Sequence, residues 1–74
     1  MGERDKRRKF EELAEKRVNK AIKDLRLIGN LSNRNNYAFD DDDIRKITKA
    51  LDDEVKALKA RFAQNRHSGQ IFKL

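Results

Sequence analysis

The sequence predicts an all-α fold, an antiparallel two-helix hairpin that dimerises into a four-helix bundle. Three observations carry this expectation. Phe10, Ala14, Val18, Ala21, Leu25 and Ile28 recur in steps of three and four, as do Ile44, Ile47, Leu51, Val55, Leu58 and Phe62. Such steps place each set on one face of an α-helix. Between the two sets runs a single polar connection. At 74 residues, the chain is too small to bury two such stripes in more than a thin core.

The first helix is expected near residues 5–28. Glu3/Arg7, Asp5/Lys9 and Glu12/Lys16 are acid-before-base pairs four apart. Each would add a few tenths of a kcal/mol to an exposed helix. Lys23 and Arg26 suit the negative end of the helix dipole. Gly29 directly follows the last stripe residue, where a left-handed cap is expected, and Asn30 tolerates the same conformation.

Residues 29–39 form the Asn-rich connecting loop. Its four asparagines and Ser32 offer side-chain hydrogen bonds that compete with helix. The loop is long for a helical hairpin, and it holds Leu31, Tyr37 and Phe39, a trio expected to fold over the open end of the hairpin.

The second helix is expected over 41–64. Asp40 fits the N-cap and Asp41, Asp42 and Asp43 the first turn, where carboxylates meet the positive end of the dipole. Phe39 and Ile44 then stand in the positions of a hydrophobic staple. An antiparallel arrangement of the helices brings Phe10 near Phe62 and Leu25 near Ile47. Residues 1–64 thus form the hairpin domain and 65–74 a tail, either a strap over the open side or a docking peptide built on Ile71, Phe72 and Leu74.

Composition narrows the function classes. Charged residues make up 43% of the chain and hydrophobic ones 36%, against roughly 25% charged in an average globular protein. Two amphipathic helices without a third layer call for self-association or a partner to complete the core. There is no cysteine, so disulfides and thiolate metal sites are excluded. No apolar run follows the basic stretch from Met1 to Lys9 as a secretory signal requires, and none is long enough to span a membrane. The expected address is the cytoplasm.

The net charge is +6, and its distribution is uneven. Residues 3–28 carry ten Lys/Arg against six Asp/Glu, a balance of +4, while residues 40–64 carry six against seven. Candidate nucleic-acid contacts are Arg4, Lys6, Arg7, Arg8, Lys9, Lys16, Lys20, Lys23 and Arg34. Lys9, Lys16, Lys20 and Lys23 lie broadly opposite the apolar stripe, with Glu12 diluting the same face. Such a band would hold phosphates through charge, non-specifically and with strong salt dependence. A merely solvated face and an anionic protein surface are the alternatives. The Asn33-Arg34-Asn35-Asn36 cluster holds residue types able to read base edges, although asparagines that satisfy their own loop explain it more simply.

No catalytic, metal or cofactor site is expected. Asp40–Asp43 fan out around a first helical turn and lack the ligand spacing of a calcium loop. His67 has no cysteine to pair with, and nothing supports a serine triad around it. No small-molecule substrate and no enzyme activity are expected. Candidate partner contacts are Leu13, Leu27, Tyr37, Ala50 and Ala57, together with Ile71, Phe72 and Leu74. The simpler reading packs Leu27 under the loop and Leu13 on Phe62 or the tail.

The run Leu-Ile-Gly-Asn-Leu-Ser-Asn-Arg-Asn-Asn-Tyr at 27–37 carries a resemblance. It follows Lys-Arg-Val-Asn-Lys-Ala-Ile and precedes an acidic start and Ile-Arg-Lys-Ile. Over roughly residues 8–62 the chain resembles a group of short bacterial proteins associated with plasmids, conjugative elements or phages. That group has no assigned function, so the resemblance implies a mobile-element setting and transfers no site. The architecture is similar in kind to the repressor-of-primer hairpins, which pair into four-helix bundles and bind RNA, but fold alone does not settle function. The leading expectation is a non-enzymatic regulatory or adaptor protein that binds a macromolecule, most simply a protein, in an accessory or host-defence-inhibitor role. The alternative is a nucleic-acid-binding protein that uses the basic first helix.

Overall fold

A computed structural model describes the backbone of residues 2–67 and the side chains of residues 2–64. The chain is all-α. Helix α1 spans Glu3–Gly29, a 3-10 turn over Asn30–Ser32 continues it, and helix α2 spans Asp41–His67. No strand occurs among the described residues. Two helices joined by a short loop are consistent with the helical hairpin read from the sequence. They form two units, divided between Ala38 and Phe39.

Helix α1 starts on bare backbone. Gly2 is its N-cap, in an extended conformation and without a side-chain cap bond. The Gly2 carbonyl accepts from the N–H groups of Asp5 and Lys6 at 3.2 and 3.3 Å.

The far end of α1 departs from expectation. Gly29 is helical, with φ −59° and ψ −29°, and no described residue has a positive φ. The helix therefore passes through Gly29 instead of stopping at Ile28 on a left-handed cap. Asn30 is also helical (φ −65°, ψ −18°), and its N–H faces the carbonyls of Arg26 and Leu27. Bifurcation of this kind is common where an α-helix tightens into a 3-10 turn. The turn breaks at Asn33, which is extended (φ −74°, ψ 100°). There the Asn33 Oδ1 accepts from the Asn35 N–H at 3.0 Å. Its carbonyl accepts from Asn36 and Tyr37 at 3.1 and 3.0 Å. One asparagine thus closes the loop upon itself, the local competition that such side chains bring.

Helix α2 starts on a reciprocal pair of bonds. The Asp43 N–H donates to Asp40 Oδ1 at 2.9 Å, and the Asp40 N–H donates to Asp43 Oδ2 at 3.0 Å. This is a capping box with aspartate in place of the usual glutamate at the third position. Phe39, at the staple position, is half-buried. Further along, the Thr48 hydroxyl donates back to the Ile44 carbonyl at 2.9 Å, so this mid-helix hydroxyl finds its partner within its own helix. The helix passes position 64 and continues to His67.

The ion pairs of α1 run opposite to the expected order. Arg7 pairs forward with Glu11 at 2.7 Å, Arg8 with Glu12 at 3.8 Å and Lys20 with Asp24 at 3.0 Å. Glu3/Arg7, Asp5/Lys9 and Glu12/Lys16 do not form. Base-before-acid is the weaker order on a helix, and all three pairs are solvent-exposed, so they contribute little to stability.

No described side chain is buried. Among the described residues, only Ala14, Phe39 and Leu51 are half-buried. Neither unit covers its own stripe: Phe10, Val18, Leu25, Ile28, Ile44, Ile47, Val55, Leu58 and Phe62 are all exposed. Nor do Leu31 and Tyr37 form a buried lid. Both are exposed, Leu31 because the continuing 3-10 turn carries it.

Candidate binding surfaces

Two kinds of surface stand out, one apolar and one cationic. On α1 the stripe Phe10, Ala14, Val18, Ala21 and Leu25 advances by four, four, three and four residues, and Ile28 ends it three residues on. On α2, Ile44, Ile47, Leu51, Val55, Leu58 and Phe62 advance by three, four, four, three and four. Both patterns repeat after eleven residues, at about 3.67 per turn, close to the natural 3.6 of a straight helix. Each stripe therefore stays on one side of its helix and does not wind away as a strict heptad would. Arg7 lies beside the α1 stripe, its guanidinium 5.7 Å from the centre of the Phe10 ring, a cation–π distance.

Ile22 belongs to this surface too. It is exposed and lies four residues after Val18 and three before Leu25, so it widens the stripe on one flank. Its spacing to both neighbours marks it in the sequence, although it stands outside the single row of the stripe.

The candidate partner residues are placed as follows. Leu13 and Leu27 lie on the polar side of α1, with Leu27 62% exposed, the most exposed large apolar residue described. Leu27 is thus not packed under the loop. Leu13, at 37%, is also accessible. Tyr37 is exposed in the loop. Ala50 and Ala57 are exposed on α2, off its stripe. Ile71, Phe72 and Leu74 lie outside the described residues.

The candidate cations divide by helical position. Lys9, Lys16, Lys20 and Lys23 share one side of α1, broadly opposite the stripe, while Lys6 stands one turn before Phe10, between that side and the stripe. Arg4 and Arg7 project elsewhere, and Arg8 stands at the edge, occupied by Glu12. Arg34 is exposed in the loop turn, away from these lysines in sequence.

The acidic start of α2 is engaged in capping and pairing. Asp40 and Asp43 hold each other's backbone N–H. Asp42 accepts from Arg45 at 2.8 Å and lies 3.7 Å from Lys46. Among the described residues no cluster of His, Asp or Glu is arranged to hold a metal ion, and no helix is long and apolar enough to cross a membrane. The chain matches no family model, and no curated protein or solved structure shows detectable similarity to it. What defines the protein is thus its class, a two-helix all-α chain with accessible apolar and cationic helix faces.

Proposed function

We propose that this protein is a non-enzymatic regulatory or adaptor protein that works by binding another protein through its apolar helix faces, and that a second copy of the chain is the first such partner. One observation carries the reading: each of the two helices bears a regular apolar stripe that its own unit leaves uncovered. Helices in water draw most of their stability from packing of an amphipathic face and not from intrinsic propensity. Full burial of a Val, Leu, Ile or Phe side chain contributes about 1.5–3 kcal/mol. The nine large stripe residues are 36–56% exposed, so covering them would add on the order of 1 kcal/mol each. That is ample to drive association of a small chain. The eleven-residue repeat common to both stripes suits straight helices packed side by side, as a symmetric homodimer would bring together.

Leu13 and Leu27 lie off the stripe and would remain for a further partner. The resemblance of the 27–37 run adds a setting, an accessory or host-defence-inhibitor role in a mobile element of a bacterial cytoplasm.

Light scattering tests the reading. The wild-type chain is expected at twice its 8.7 kDa mass, and Leu25→Asp or Leu58→Asp is expected to return it to a single-chain mass. Wild-type protein that is monomeric and fully helical at high concentration would overturn the reading.

A further inference from the structure

The ion pairs of α1 sort its charges by face. Glu11, Glu12 and Asp24 are held by Arg7, Arg8 and Lys20. In particular, Arg8 answers Glu12, the acid that would otherwise dilute the lysine face. Of the remaining acids, Glu3 and Asp5 stand in the first turn, and Glu15 lies about 100° around the helix from Lys16. Lys6, Lys9, Lys16 and Lys23 have no acidic partner among the described residues. From Lys9 to Lys23, one side of the helix is therefore cationic, with Asp5 one turn before Lys9 at its N-terminal edge and Glu12 paired with Arg8. On α2 the charges are more mixed: Lys46 and Lys49 are paired with Asp42 and Asp53, and residues 40–64 carry six Lys/Arg against seven Asp/Glu.

We propose that this lysine face of α1 binds the phosphate backbone of duplex nucleic acid without reading its sequence. Lys9, Lys16 and Lys23 follow one another every seven residues, about 10.5 Å apart along the axis. Lysine supplies compact point charges, which suit phosphates but lack the fork with which arginine reads guanine. The aromatic residue of α1, Phe10, lies on the apolar stripe, so the lysine face has no ring on which to stack an unpaired base.

A lipid surface fits less well. Inserting the apolar stripe into a bilayer would turn these lysines away from the headgroups, so the two sources of affinity would oppose each other. An acidic protein also fits less well, since protein interfaces are poor in lysine and rich in aromatic anchors. Because the lysine face and the stripe lie on opposite sides of α1, association through the stripe leaves the lysines outward. This inference is independent of the proposed self-association.

The test is fluorescence anisotropy of a short mixed-sequence DNA duplex with the full chain, between about 50 and 200 mM salt. With one phosphate held by each of Lys6, Lys9, Lys16 and Lys23, the slope of log K against log salt is about −3.6, a roughly 150-fold loss of affinity over that range. The combined variant Lys9→Gln, Lys16→Gln, Lys23→Gln keeps residues of similar helix propensity. It is expected to keep its helical circular dichroism and its mass, bind weakly, and lose only about fourfold over the same range. Three results would overturn the proposal: no duplex binding at the lowest salt, affinity that ignores salt, or equal binding by the helical triple variant. Tighter binding to phosphatidylserine vesicles or to polyglutamate than to the duplex would also overturn it, in favour of a lipid or an acidic protein.

Discussion

Replacing Gly29 by alanine puts the end of α1 to a thermodynamic test. Gly29 has helical angles, φ −59° and ψ −29°, and an added Cβ would meet nothing within 4 Å. Alanine at such a site loses less backbone freedom on folding than glycine, a gain of roughly 0.5–1 kcal/mol. Had Gly29 formed the left-handed cap that its place after Ile28 suggests, a Cβ would instead cost roughly 1–2 kcal/mol. The two conformations therefore predict opposite signs. Urea or thermal unfolding followed by circular dichroism, at one fixed protein concentration, reads the difference. For a domain of this size about 1 kcal/mol moves the midpoint by roughly 4–8 °C. A rise of a few degrees for Gly29→Ala agrees with the continuous helix, and a fall of similar size would refute it.

Other substitutions probe the remaining elements. Asp40→Ala removes the acceptor for the Asp43 N–H and is expected to cost about 1 kcal/mol, whereas Asp40→Asn should stay within a few tenths; unfolding midpoints and amide exchange at Asp43 check both. Lys49→Ala breaks an exposed pair with Asp53 and is expected to change stability by less than about 0.5 kcal/mol, so a larger loss would mean that the pair is shielded in an assembly. Leu27→Asp alters a side chain that is 62% exposed; helicity and mass should survive it while binding of a further protein partner is lost, as a pull-down with the mutant chain would show.

How far the sequence was informative depends on the kind of feature. The two helices were legible because apolar steps of three and four leave little choice of period. The start of α2 was legible too, since an aspartate ahead of an acidic first turn is a strong capping signal, although the reciprocal role of Asp43 was hidden by its neighbours Asp41 and Asp42. Gly29 misled for a physical reason. Glycine is compatible with both helical signs, and Leu31, four residues after Leu27 and three after Ile28, extends the apolar spacing through it. The pairing order on α1 was equally ambiguous, because Arg7 has Glu3 behind it and Glu11 ahead, and only side-chain geometry chooses. Burial was not legible. Periodicity states which side of a helix is apolar, but it does not state what covers that side, and neither helix unit covers its own stripe. For the candidate sites, helical spacing alone groups the lysines, while the pairing of Glu12 with Arg8 needed the structure.

The most direct test of the central claim, that the stripes are completed by a second chain, is helicity measured against protein concentration. Circular dichroism at 222 nm should rise from a frayed state in dilute solution to a plateau as the chains associate, with a midpoint that moves to higher concentration in Leu58→Asp. Full helicity that is independent of concentration, in a species of single-chain mass, would contradict the account.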